Sequence, residues 1–324
     1  MAKYILRRLA LLVPTLIGMS IIIFTMVRLM PGDVVDALVG MDNQVTPEAK
    51  SELRHAYGLD DPIAVQYVKW VYQIGQGDLG RSYRTRQSIT AQLVRALPVT
   101  IELALLALSV SVVVAVPLGV LSATNRNSAI DFVVRFVALI GLAFPNFFLA
   151  TLLLLGSSLL FHWVPPVFYI SIFDNPAKNL LQFAFPALSL AVALMAIEMR
   201  MARTSMLEVL RQDYVRTALA KGLESNAVNY KHALRNAFIP LITVIGIQMG
   251  GLLGGSVIIE QIFGLPGVGW YLLQGIQGRD YPVVQVTALF LAIVFAVMNL
   301  LVDILYGFVD PRISHEATRQ TSTS

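Results

Sequence analysis

The sequence predicts an all-α integral membrane protein with six transmembrane helices and a helical extracytoplasmic insertion between the first and second. Three observations carry that prediction. The 324 residues are 56% hydrophobic and only 14% charged, with a mean hydropathy of +0.69, whereas a soluble domain carries about 25% charged residues. Six uncharged runs, at residues 9–27, 103–124, 136–161, 179–197, 237–259 and 281–302, are each near the length a helix needs to cross the hydrocarbon core. Lys and Arg gather in alternate short loops between those runs, as the positive-inside bias of membrane proteins requires.

The chain opens with Lys3, Arg7 and Arg8, which place the N-terminus in the cytoplasm ahead of the first run. That run is too long for a signal-peptide core, and no small-residue cleavage site follows it, so it reads as a retained span. Pro14 and Gly18 within it are tolerable, because neighbouring helices can satisfy the backbone groups they free. Domain organisation follows the runs: residues 1–30 are the first transmembrane helix, 31–95 the extracytoplasmic insertion, 96–313 a five-span core and 314–324 a Ser/Thr-rich disordered tail.

The insertion predicts two helices. One has Thr46 as N-cap with Pro47 at the first position; the other has Asp61 and Pro62 in the same roles. In the second, Ile63, Tyr67, Val71 and Ile74 recur at helical spacing and form an amphipathic face, and the glycines between Gly75 and Gly80 end it. Two readings stand for this insertion: a cap packed on the membrane core, or a surface for a substrate-delivery protein.

After the fourth run the chain becomes polar and basic. Between Arg200 and Arg235 it carries seven Lys or Arg against three acids, which puts this loop in the cytoplasm. Helix-favouring residues from Asp213 to Lys221 meet Gly222, a helix C-cap, and a second helical pattern begins near Ser225. A helix, a turn and a helix outside the bilayer, too short for a domain, make a docking surface for another protein rather than an active site. The fourth span is expected to run on past the membrane surface into this loop as a rigid lever. An even count of spans returns Arg312 and Arg319, and with them the C-terminus, to the cytoplasm.

In the fifth run Gly246, Gly250 and Gly254 stand four apart, a small-residue face that lets another helix approach closely. Packing within the chain and contact across a pore or dimer interface are both open. The segment from Gly264 to Tyr271 predicts a turn and a short amphipathic piece at the outer interface, a candidate gate.

Several chemistries are excluded by the residues. There is no cysteine, hence no disulfide, thiolate metal site or cysteine nucleophile. No Gly-Lys dipeptide exists to supply the lysine of a phosphate-cradling loop, so ATP cannot be bound here in that way. The four histidines are scattered with no HExxH pair, and no Gly-x-Ser-x-Gly elbow is present. The net charge of +4 sits beside apolar spans, which does not indicate a nucleic-acid partner.

The basic loop resembles the ATPase-docking loop of importer-type ABC transporter permeases, which have a Glu-Ala-Ala, Gly and Ile-x-Leu-Pro pattern. With Gly222 on the Gly, Arg216, Thr217 and Ala218 fall on the Glu-Ala-Ala positions, and His232, Leu234 and Arg235 on Ile, Leu and Pro. These departures are similar to the peptide/nickel subgroup, whose usual stretches appear from Tyr214 to Ala218, from Ala220 through Lys221 and Gly222 to Leu223, and from His232 to Ala237. Further similar stretches stand at Gly58-Leu59-Asp60, Gly77-Asp78-Leu79-Gly80, Arg279-Asp280-Tyr281-Pro282 and Asp310-Pro311-Arg312-Ile313.

The resemblance implies a type I ABC importer permease fold in the inner membrane of a prokaryote, carrying half of a translocation pathway for di- or oligopeptides. It also implies a second homologous permease, two cytoplasmic ATPase subunits that hold ATP and Mg, and an extracytoplasmic solute-binding protein; this chain itself binds no cofactor. Nickel complexes, glutathione and oligosaccharides are the alternative cargoes within the same family. A proton-coupled secondary transporter, with Asp303 and Glu102 as carriers, is the alternative from another class, and it lacks the midplane cluster of ionisable groups that ion coupling requires.

Overall fold

The computed structural model describes residues 2–29, 35, 46–56, 58–166, 168–224 and 227–309. The predicted tail at 314–324 and most of the segment 30–45 lie outside the described residues. Among them there is no β-sheet, only one isolated bridge between Arg81 and Ser88.

Helix α1 (Ala2–Arg28) holds the first run and keeps Pro14 in its interior. Most of its large apolar side chains, Leu9, Leu11, Val13, Ile17, Ile21 and Ile22 among them, face outward, the pattern of a helix whose surroundings are lipid. Two short helices of the insertion follow: α2 (Pro47–Ala56), whose Ala49 N–H donates to Thr46 Oγ1 at 3.3 Å, and α3 (Ile63–Gly75). The Thr46 cap is as expected. The Asp61 cap is not: Pro62 occupies the N-cap of α3, and Asp61, one residue too early, instead accepts from Lys69 Nζ at 2.6 Å. The amphipathic face of α3 is also rotated from the expected one. Ile63 and Val71 are exposed, and it is Tyr67 and Trp70 that stack with Phe24 of α1, with Ser20 Oγ and Tyr67 OH 2.8 Å apart.

Helix α4 (Ile89–Thr124) begins ahead of the second apolar run, where Ser88 Oγ accepts from Ala91 N–H. The third run is not one straight span. It forms α5 (Ala129–Ala143) and α6 (Asn146–Phe161), bent by 96° to each other. Pro145 stands at the bend: it offers no N–H to a continuing helix, and Phe144 before it is in the extended conformation that a following proline favours, with ψ 125°. Helix α7 (Pro176–Leu210) then runs unbroken through the fourth run and its basic continuation. Helix α8 (Asp213–Ala220) lies in the basic loop, and a π-helical stretch (Val228–Ala233) leads into α9 (Leu234–Phe263). Helix α10 (Val268–Gln277) turns away from the end of α9 by 80°, and α11 (Tyr281–Val309) ends the described chain.

By length and composition, five of the described helices can each cross a membrane, and counting each bent pair as a span gives up to seven. The pair α4 and α7 packs most extensively, with α5 and α9 also against α7 and α1 against α11. One core cluster joins Val99, Leu103 and Ala107 of α4 to Phe183 and Leu190 of α7 and Ile259 and Phe263 of α9. Close approach is also made by glycines outside the run that the sequence singles out. A Cβ on Gly119 of α4 would stand 2.6 Å from Ala202 Cβ and 2.8 Å from the Met199 carbonyl, and one on Gly141 of α5 would stand 3.2 Å from the Val192 carbonyl. The α4–α7 and α5–α7 contacts are therefore nearly backbone to backbone.

Candidate docking surface and its attachment to the membrane helices

In the basic loop α8 and its turn are followed by the π-helical stretch that runs into α9; Ser225, where the second helix is expected to begin, lies outside the described residues. At the end of α8, Lys221 N–H donates to the Thr217 carbonyl at 3.1 Å and Leu223 N–H reaches back to the Ala218 carbonyl at 3.3 Å. Gly222 between them has φ +81°, the left-handed conformation in which a side chain is strained. The unit is fixed to the protein by two buried valines, Val215 of α8 and Val228 of the π-helical stretch, and by Asn236 Nδ2, which donates to Tyr214 OH at 2.8 Å.

What the unit presents outward is mixed apolar and basic. Tyr214 is 39%, Leu223 47% and Tyr230 54% exposed. Arg216, Thr217, Lys221, Gly222 and Arg235 are also exposed, while Ala218 is half-buried. Arg216 Nη1 lies 3.9 Å from Asp213 Oδ1, an exposed pair too loose to fix either side chain. Leu234 belongs to the other side: it packs against the cluster of Val120, Met206, Val209, Ala237 and Leu241 and so anchors the loop rather than facing a partner. The side chain of His232 lies outside those described. Tyr230, two residues after buried Val228, is the exposed residue that sequence reading passes over.

Helix α7 delivers this surface to the membrane helices without a break, as expected for a lever. The attachment that sequence reading missed is at Asp131, near the start of α5. Its buried carboxylate accepts Arg203 Nε at 2.7 Å and Arg203 Nη2 at 3.0 Å from α7, Ser122 Oγ at 2.6 Å from α4, and the Asn127 N–H at 3.0 Å from the α4–α5 turn. Arg135 Nε, one turn along α5, stands 3.4 Å from the same group.

The glycines of α9 divide. A Cβ on Gly246 would meet Val302 Cγ1 at 2.7 Å and one on Gly250 would meet Asn299 Oδ1 at 3.3 Å, so these two seat α9 against α11 within the chain. Among the described residues nothing lies within 4 Å of a Cβ on Gly254. A step of four residues overshoots a helical turn by about 40°, and this carries the third glycine off the packed face. Gly254 joins Ile247, Gly251 and Ile258 on an exposed stripe of the same helix.

At the opposite end of α9 the turn into α10 is built around Glu260. Its buried carboxylate accepts Thr100 Oγ1 at 2.8 Å, Ser256 Oγ at 3.0 Å and the Trp270 N–H at 2.8 Å, while Thr100 Oγ1 itself accepts the Val268 N–H at 2.9 Å. Gly267 lies so close that a Cβ there would be 2.6 Å from Thr100 Oγ1. The loop before α7 is tied down by Gln182, whose Nε2 donates to the Pro166 and Phe168 carbonyls. That places Tyr169 OH as donor to Glu102 Oε2 at 2.9 Å; burial, then the neighbouring carboxylate, push the Tyr169 phenol up to about 12, so it stays a donor. Glu102 is thus held by a fixed partner, and the Asp303 side chain lies outside those described.

Residues 115–315 match the family described as binding-protein-dependent transport system inner membrane component, and residues 1–104 match its N-terminal companion. The chain belongs to this family. It is 39% identical to the dipeptide transport system permease protein DppB of Alkalihalophilus pseudofirmus, over 97% of this chain and 100% of that one. It is 38% identical to the di/tripeptide transport system permease protein DppB of Pseudomonas aeruginosa (98% and 100% covered) and 39% identical to the oligopeptide transport system permease protein AppB of Bacillus subtilis (97% and 100% covered). Among solved structures, the MetNI methionine ABC transporter in inward facing conformations superposes with TM-score 0.56 at 18% identity, over 68% of this chain and 96% of that one. That likeness establishes the type I importer permease fold. This family member is a multi-pass inner-membrane protein of an ABC importer.

Proposed function

We propose that this chain is one of two permease subunits of a peptide importer and forms half of its translocation pathway. Six spans, both termini in the cytoplasm and the insertion outside are the topology that the charge pattern supports. Two ATPase subunits, which hold ATP and Mg, dock on the exposed face of α8 and the Gly222 turn; a solute-binding protein delivers di- or oligopeptides from the other side. This chain hydrolyses nothing. ATP binding closes the ATPase pair, α8 follows, and α7 carries that movement into the membrane helices, switching the pathway between inward- and outward-open states.

The observation that carries this reading is the near-40% identity, over essentially the full length of both chains, to permeases named for dipeptides, di/tripeptides and oligopeptides. The test is uptake of a labelled dipeptide into proteoliposomes holding the whole transporter, with unlabelled dipeptide, tetrapeptide, glutathione, an oligosaccharide and a nickel chelate as competitors. Peptides should compete and uptake should require ATP. Uptake displaced only by the nickel chelate or the sugar, or driven by a proton gradient without ATP, would refute it.

A further inference from the structure

We propose that the Asp131–Arg203 ion pair is the coupling latch of this permease: it makes the α4–α5 turn ride with α7, so movement of α8 reaches α4, α5 and α7 as one block. The inference rests on the reading that α8 is where the ATPase docks.

The geometry carries it. Four donors converge on one buried carboxylate, and they come from α4, from the α4–α5 turn and, twice, from α7, with Asp131 itself on α5. Arg203 engages through two nitrogens on two oxygens, a fork that fixes direction as well as distance. Arg203 stands about two helical turns, roughly 10 Å, before the end of α7 at Leu210, just where α7 leaves for the docking helix.

Beside the latch the same helices touch through Gly119 against Ala202 and Met199, and farther along α5 through Gly141 against Val192 and Ala196. With only small side chains at these approaches, sliding of α4 or α5 along α7 would bring backbone against backbone. The other strand of chain leaving the docking loop differs: α9 enters through the π-helical stretch, a hydrogen-bonding pattern that recurs at functional sites.

Stability alone is a poor explanation for the pair. Desolvation offsets most of the attraction between buried charges, and apolar substitutes of like volume are often neutral or better. A fixed relative position is what the fork supplies and what apolar substitutes do not.

The test uses the whole reconstituted transporter and reads ATP hydrolysed per peptide imported. Arg203→Lys, which keeps the charge but not the fork, and Asp131→Asn should each raise that ratio about fivefold or more. The double variant Asp131→Asn/Arg203→Gln should be no worse than the worse single one, since all three remove one interaction. An unchanged ratio at matched membrane levels and matched ATPase retention overturns the latch. Absence of ATP-driven import by the unaltered transporter would instead refute the proposed function.

A second measurement leaves the latch intact. Spin labels on cysteines placed at the exposed Arg126 and Arg200 of this cysteine-free chain report the α4–α5 turn against α7. Their distance should be the same without nucleotide and with ATP trapped. A second, nucleotide-dependent distance would show that the block comes apart and would refute the inference.

Discussion

Replacing Gly222 with Val separates backbone conformation from contact. Gly222 has φ +81°, and among the described residues no atom beyond its chain neighbours lies within 4 Å of the place a Cβ would take. With the first side-chain carbon in open space, the cost of a valine is set by the left-handed backbone, about 1–2 kcal/mol for a residue with a Cβ, with β-branched side chains the least tolerated. At 1.4 kcal/mol per factor of ten, the equilibrium constant for the native turn against its alternatives falls about tenfold. Affinity for whatever docks on the turn falls with the fraction of native turn that is lost, by at most that same factor. Gly222→Asn is the control, since Asn is nearly as large as Val yet adopts positive φ readily. The assay is retention of the ATPase subunits on purification, together with peptide uptake, at matched membrane levels. Val should lose most of both and Asn little. Normal retention and coupling in Gly222→Val would refute the role given to the turn; equal loss in Asn would move the cause from the backbone to a clash with the partner.

Gly267→Ala, which sets a methyl group against Glu260 and Thr100, should cost about 1–3 kcal/mol and lower the thermal unfolding midpoint in detergent; an unchanged midpoint would contradict the described turn. Gly246→Leu should prevent close seating of α9 on α11 and reduce the amount of folded protein, whereas Gly254→Leu should leave the isolated chain folded; size-exclusion profiles distinguish the two. Single cysteines at the exposed Ser51 and Lys221 should label oppositely with an impermeant thiol reagent in intact spheroplasts, Ser51 at once and Lys221 only after permeabilisation. The reverse pattern would invert the topology.

The features legible in the sequence were the local ones. Apolar run lengths located α1, α4, α7, α9 and α11, because a membrane helix satisfies its own backbone and needs only a long uncharged segment. The turn after α8 was legible because Gly222 and the helix formers before it are close neighbours in the chain. Pro145 was hidden inside a run that hydropathy treats as uniform, although Pro14, Pro98 and Pro117 sit in unbroken helices and show that proline alone does not decide. The cap of α3 fell one residue from its expected place because a ring, rather than a side-chain acceptor, took the position. The Asp131 and Glu260 centres were illegible for a different reason. Their partners lie far along the chain, Arg203 for one and Thr100 for the other, so only the fold brings them together. Spacing likewise marked three glycines in α9 as equivalent, where the neighbouring helix separates two from the third.

Photo-crosslinking tests most directly the claim that α8 and its turn receive the ATPase. A photoreactive residue placed at Leu223, which is 47% exposed beside Gly222, should crosslink to an ATPase subunit in intact cells, while the same residue at Ser51 in the insertion should not. Crosslinking from Ser51 but not Leu223, or from neither in cells that import peptide, would contradict the account.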